Sequence, residues 1–199
     1  MKENQRKPWW QTFSRWVLKL IGWELVEEMP PEPKYVLVGA HHTSNWDWAI
    51  GFLMMSGLGL KPRWIGKDAL FKGIAGPVMR WLGGIPVVRG ARANFVDQIV
   101  DVYNSSKKLV IAIAPEGTRK YVDHWKTGFY HIACGAKVSV AMAFLDYSRK
   151  ICGIGGYFLP SENIKKDMKI LREFYDDVIG KFPENQGRVQ LSSSSSTSN

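Results

Sequence analysis

The chain has 199 residues, 45% of them hydrophobic and 23% charged, which suffices for one domain with its own core and excludes a disordered chain. Its 27 Lys and Arg against 18 Asp and Glu give a formal charge of +9. That excess favours an anionic partner: a membrane surface, a phosphorylated substrate or a nucleic acid. No apolar run reaches the roughly 18 residues of a transmembrane helix.

Residues 1–8 are polar and basic, and Pro8 can open a helix. Trp9, Phe13, Trp16, Val17, Leu20 and Ile21 then recur at helical spacing, while Gln11, Arg15 and Lys19 mark another side. The pattern predicts an amphipathic helix. Its aromatic residues and basic flank suit the membrane interface, and Trp9, Trp10, Phe13, Trp16 and Leu20 are the expected contacts. A helix packed on the core by this face is the alternative. Arg15, Lys19 and the glutamates at 24, 27 and 28 interrupt the apolar part, so it does not read as a cleavable signal. Residues 24–34 hold Pro30, Pro31 and Pro33 and read as an acidic connector.

Tyr35 to Ala40 is a continuous apolar run and predicts a buried strand, and a helix is expected over about 46–58. Between them stand His41-His42-Thr43-Ser44-Asn45-Trp46-Asp47. Ligands bind at such strand ends in open α/β sheets. Along a continuous helix His42 and Asp47 would face apart, but a turn at Thr43 or Ser44 brings them together. Asp47 would then fix the tautomer of His42 and leave the other ring nitrogen as a base. Ser44-x-x-Asp47 equally fits a helix capping box, in which Asp47 only caps. Both readings stand on this stretch alone.

A short strand is expected at 63–66, then two short helices or a kinked one through Leu82, broken by Gly73, Gly76 and Pro77. Gly83 to Arg89 leads out of a glycine pair into a strand ending in arginine, whose planar fork matches a phosphate. A helix over about 92–107 precedes Leu109 to Ala114, the clearest buried strand. This runs into Pro115-Glu116-Gly117-Thr118-Arg119, where a glycine turn with exposed N–H groups and a cation would hold a phosphate monoester. The alternative is a surface turn in which Glu116 and Arg119 pair.

A helix follows from Lys126, with His124 and His131 as structural or surface groups, then strands at 138–144 and 151–158. Cys134 and Cys152 lack metal-ligand spacing and read as small core residues, as suits a reducing compartment. A last amphipathic helix, capped by Ser161, carries Ile164, Met168, Leu171, Tyr175 and Val178. The polar end from about 183 reads as a disordered tail.

Taken together, His42-x4-Asp47, Gly83 to Arg89 and Pro115 to Arg119, in this order and each near a strand end, closely resemble the glycerolipid acyltransferase family, whose bacterial members include 1-acyl-glycerol-3-phosphate acyltransferases. The resemblance runs from about Tyr35 to Phe158. It implies an α/β fold: a mostly parallel central sheet flanked by helices, here with an N-terminal amphipathic helix. The expected division is a membrane-association segment at 1–29, an acyltransferase domain at 30–182 and a tail at 183–199. The resemblance makes His42 the general base and Asp47 its partner. It assigns Arg89, Glu116, Gly117, Thr118 and Arg119 to the acceptor's phosphate and its pocket, with Lys67 as a further anion contact. Two departures stand out: His41 replaces the family's usual Asn or Pro, and the strand at 138–144 lacks the family's proline.

The implied reaction moves a fatty acyl group from an acyl thioester to the hydroxyl of a lysophospholipid such as 1-acylglycerol-3-phosphate, in phospholipid biosynthesis. Acyl-CoA or acyl-ACP is then a co-substrate, with no resident cofactor and no metal. The expected partners are a lipid substrate, a membrane surface and, as a donor, acyl carrier protein. The expected place is cytoplasmic, on the inner face of the membrane. Another lysolipid or amphipathic alcohol as acceptor, a thioesterase, and a non-enzymatic membrane-binding module are the alternatives. No nucleic-acid motif accompanies the dispersed basic residues, so no nucleic acid is expected.

Overall fold

The computed structural model describes residues 8–87 and 92–192, so Arg89 lies outside the described residues. The elements in order are α1 (Trp9–Leu20), β1 (Glu24–Glu28), β2 (Lys34–Gly39), α2 (Trp46–Leu58), β3 (Trp64–Lys67), α3 (Ala75–Trp81), β4 (Gly84–Val87), α4 (Arg92–Ser105), β5 (Leu109–Ile113), α5 (Gly128–Ala136), β6 (Ser139–Asp146), β7 (Ile151–Phe158) and α6 (Ile164–Tyr175). A 3-10 turn at Asp68–Phe71 precedes α3.

Five strands form the main sheet in the order β1-β7-β6-β2-β5. All its pairings are parallel except β6 with β7, whose connection is a tight turn. β3 and β4 make a small parallel sheet of their own. A single parallel bridge between Arg63 and Ile111 joins its stem to the free edge of β5. β2, β5 and β3 therefore run the same way, and their carboxyl ends share one side of the molecule.

The strands are covered on both faces, and residue alternation divides the two cores. In β2, Val36 and Val38 point to the layer of α4, α5 and α6, where Ile99, Tyr103, Phe129, Ile132 and Leu171 are buried. Tyr35 and Leu37 point the other way, to Leu18 of α1 and Ile50, Met54 and Leu58 of α2. β6 divides in the same manner, Val140, Met142 and Phe144 against Ala141, Ala143 and Leu145. Such double burial explains why β2, β5 and β6 read as apolar runs rather than as alternating strands.

Three expectations are corrected. The connector at 24–34 contains β1, paired in parallel with β7 from Glu24 with Ile151 to Glu28 with Gly155. The unit carrying the site therefore begins before residue 30. At the other end, residues 183–192 are not a loose tail. Val189 is buried, the Arg188 amide donates to Val122 O at 2.9 Å and the Trp125 amide to Gln190 O at 3.0 Å. The last helix is capped by Asn163, whose side chain accepts from the Lys166 amide at 3.1 Å. Ser161 instead donates from N and Oγ to Asp167, at 2.7 and 2.8 Å.

Candidate active site

Six residues separate the end of β2 from the start of α2, and one carboxylate organises them. Asp47, buried in the first turn of α2, accepts through Oδ2 from the amides of Thr43 and Ser44, both at 2.8 Å, and from His42 Nδ1 at 3.0 Å. Its Oδ1 accepts from the Tyr147 hydroxyl at 2.8 Å. Capping and catalysis are thus one device: the bonds that close the helix mouth also fold His42 back onto Asp47. Burial pushes the Asp47 carboxyl upward. Hydrogen bonds from His42, the Ser44 amide and Tyr147 outweigh that and hold it below the ordinary 3.8, so it is ionised.

An ionised acceptor at Nδ1 requires that this nitrogen carry the hydrogen. The lone pair of His42 then sits on Nε2, which has no hydrogen-bond partner among the described residues. The His42 side chain is 37% exposed against 5% for Asp47, the arrangement of an accessible base with a sheltered orienting group.

Glu116 holds the same corner from the neighbouring strand. β5 lies beside β2 with Val38 opposite Ile113, which brings the residues after both strands together. Glu116 is 2% exposed. Its Oε2 accepts from the His42 amide at 2.8 Å, while Oε1 lies 3.1 Å from His41 Nδ1 and accepts from the Gly187 amide at 3.3 Å. Its oxygens therefore serve the backbone of the base rather than a phosphate, which a buried carboxylate would repel. His41, the departure from the family pattern, is buried, and its Nε2 lies 3.4 Å from Tyr175 O. The Tyr175 hydroxyl in turn lies 2.9 Å from the carbonyls of both Val38 and Ala143. The end of the last helix thereby fastens the ends of β2 and β6.

The rest of the turn at 117–119 faces outward. Gly117 has φ 67°, a left-handed conformation that favours glycine. Its amide donates to Ala114 O at 3.1 Å and is not free for a ligand. Thr118 Oγ1 accepts from the Lys120 amide at 3.3 Å, and Arg119 is exposed. A β-carbon at 117 would come within 2.5 Å of Lys126 Nζ, so this ammonium rests against the turn. Cationic side chains, more than the Gly117 N–H, make this corner attractive to an anion. A cavity of about 490 Å³ adjoins it, lined in part by Thr118, Tyr121 and Lys126. Lys67 is exposed at the carboxyl end of β3, on the same side as the ends of β2 and β5.

Sequence reading missed Tyr147 and Lys126. Tyr147 follows β6, which pairs with β2 through Gly39 and Ala143, so a polar residue just past that strand end reaches the corner. Lys126 is fixed by its own amide, which donates to Pro115 O at 3.0 Å. The cysteines are as expected: Cys152 is fully buried and its thiol is pushed up to about 12 by burial, while Cys134 is partly exposed. Neither is a poised nucleophile.

The expected membrane residues also fall on one face. α1 packs on α2 through a narrow polar seam: Ser14 Oγ donates to Ser56 Oγ at 2.8 Å, and Arg15 Nε to Gly57 O at 2.8 Å. Ser14 and Leu18 are buried there, and Trp9, Trp10, Phe13, Trp16 and Leu20 remain exposed, Trp9 by 77%. The amphipathic pattern is real, but its aromatic side is turned away from the core. Among the described residues no helix is long and apolar enough to cross a membrane.

Comparison with known proteins agrees with this geometry. No curated protein matches the sequence significantly. Among solved structures, the 1-acyl-sn-glycerophosphate acyltransferase PlsC from Thermotoga maritima matches over 86% of this chain and 80% of its own, with TM-score 0.53 and 16% identity. At that identity the likeness speaks for the fold. The family model described as Acyltransferase covers residues 21–143, more than half the chain and the whole span from β1 through the His42–Asp47 corner and the 115–119 turn into β6. The chain belongs to the acyltransferase family.

Proposed function

We propose that this acyltransferase carries a fatty acyl group from an acyl thioester, acyl-CoA or acyl-ACP, to the hydroxyl of a lysophospholipid such as 1-acylglycerol-3-phosphate, as a step of phospholipid biosynthesis. The observation that carries the reading is the His42–Asp47 pair: an oriented imidazole with an open Nε2, beside a turn bearing Arg119 and Lys126. Nε2 takes the proton from the acceptor hydroxyl as its oxygen attacks the thioester carbonyl. Asp47 stabilises the imidazolium so formed. The tetrahedral adduct collapses, the C–S bond breaks, and the departing thiolate receives the proton from His42. No covalent acyl-enzyme is required. Arg119 and Lys126, with Arg89 and Lys67 as the further expected contacts, would hold the acceptor's phosphate and so position its hydroxyl. Lost phosphate binding should then appear in turnover as well as affinity.

The lipid nature of the acceptor is supported by α1, whose exposed aromatic face and Lys19 suit the interface of an anionic bilayer. The decisive experiment is acyl transfer from labelled long-chain acyl-CoA to lysophosphatidic acid in mixed micelles. Wild type should form phosphatidic acid, and His42→Ala should lose about 10³-fold or more of the rate with its fold intact. Thiol release at the same rate without acceptor would mark a thioesterase instead, and near wild-type transfer by His42→Ala would refute the base.

A further inference from the structure

The segment from Lys61 to Val87 leaves the main sheet at Arg63 and folds on itself. Phe71 is its plug. β-carbons added at Gly66 and Gly84 would meet the Phe71 ring at 2.9 and 2.6 Å, and one at Gly76 would meet the Phe71 carbonyl oxygen at 2.2 Å, so two glycines let the backbone close on the ring and a third lets α3 start against the Phe71 backbone. Arg80 Nη1 donates to Phe71 O at 3.2 Å, and Trp64 Nε1 to Leu82 O at 3.0 Å. Ile85 and Val87 are buried against the main core, but the apolar side chains from the 3-10 turn through the end of α3 point outward. Leu70, Ile74, Val78, Trp81 and Leu82 recur every three to four residues and are all exposed, Ile74 by 98% and Trp81 by 83%. The segment also carries Lys61, Arg63, Lys67, Lys72 and Arg80 against Asp68 as its one carboxylate, which pairs with Lys72 at 2.9 Å.

An exposed apolar ridge on a segment of net positive charge fits an anionic lipid surface. A second copy would bring the same net positive charge against this one and be repelled. The stem of the segment also adjoins α1, because Lys61 Nζ lies 5.7 Å from the centre of the Trp10 ring. We propose that the ridge at 70–82 is a second membrane contact, which enters the interface of an anionic bilayer alongside α1. The inference rests on the reading of α1 as a membrane-surface helix. With two separate anchors, the strand ends bearing His42 and Lys67 are held in a set orientation to the lipid, and an acceptor reaches the base without leaving the bilayer.

The test attaches an environment-sensitive dye to the full chain at Ile74→Cys and, separately, at Trp16→Cys, with labelled wild type as the blank for the native cysteines. Each is titrated with phosphatidylcholine–phosphatidylglycerol vesicles. Both dyes should shift to the blue and be quenched by a lipid-borne quencher. A response at 16 without one at 74 overturns the ridge and leaves α1 as the anchor; silence at both overturns the two together. A shift at 74 that grows with protein concentration without vesicles assigns the ridge to a second copy and overturns the proposal. In parallel, Ile74→Glu with Trp81→Glu should lower the vesicle-bound fraction about tenfold or more. The thermal midpoint should hold, since both side chains are exposed. Unchanged vesicle binding of that double variant also overturns the proposal.

Discussion

The corner at 40–47 and the excursion at 64–87 are built on opposite principles. The corner is held by hydrogen bonds that converge on two buried carboxylates. Asp47 takes four donors, and Glu116 reaches across from β5 to the His42 amide and His41. The excursion has few such bonds and is held by close packing of glycines on Phe71. A base must keep its geometry within tenths of an ångström, and directional bonds in a low-dielectric site supply that. A surface element needs only to keep its apolar side outward, for which a filled interior suffices. The difference predicts that damage to the corner is read in chemistry and damage to the excursion in local order.

The sharpest way to break the corner is Asp47→Asn. The amide keeps an acceptor for the Thr43 and Ser44 amides but loses the charge that supports the imidazolium. The turnover number should fall roughly 10³-fold, about 4 kcal/mol, with the substrate KM little changed. Steady-state kinetics checks this, and a loss confined to KM would contradict it. Glu116→Ala strips partners from the His42 and Gly187 amides and from His41 together. It should cost about 3 kcal/mol of stability in denaturant melts and lower turnover, since it unfastens the backbone of the base. Glu116→Gln, which retains an acceptor for the His42 amide, should recover part of both. Equal losses for the two variants would mean that the charge, not the bonding, matters.

The excursion gives the contrast. Phe71→Ala should destabilise it by about 2–3 kcal/mol, as a cavity in a small core does. Hydrogen exchange should rise over 64–87 while 36–47 keeps its protection. A uniform rise across both would show that the two regions are one cooperative unit. The smallest expected effect is Tyr147→Phe, which removes one bond to the Asp47 carboxylate and costs about 1.5 kcal/mol. Because the folded Asp47 is held below 3.8, its contribution is full above that value and is lost as pH falls through the lowered folded pKa. Losing the Tyr147 bond raises the folded pKa toward the ordinary one. Acid unfolding of the variant should therefore begin at a higher pH than in wild type, and coincident acid transitions would count against the bond.

Much of this was legible along the chain because it depends on local pattern. β2, β5 and β6 declare themselves as apolar runs, since strands buried on both faces have no polar side to show. The spacing from His42 to Asp47 carries its own turn chemistry, and the periodicity of α1 gives its two faces. Gly73 marks the break between the 3-10 turn and α3, while Gly76 and Pro77 fall in the first turn of α3. Family resemblance, carried by blocks at 42–47 and 115–119, agrees with the fold and the class of reaction.

Everything that joins distant parts of the chain waited for the tertiary structure. β1 has charged residues and is followed by Pro30, Pro31 and Pro33, so its five residues look like a connector; only the edge of β7 makes them a strand. The apolar face of α1 can be read, but not its direction, because α2 offers Ser56 and Gly57 to the polar face and so turns the tryptophans outward. Glu116 stands in a block that suggests phosphate binding, yet the pairing of β5 with β2 points its carboxylate at the His42 amide. Tyr147 meets Asp47 across a separation of 100 residues. Sequence determines what is set by neighbours within a turn or two. Which group meets which across the sheet is decided by strand order and register, and these exist only once the whole core is assembled.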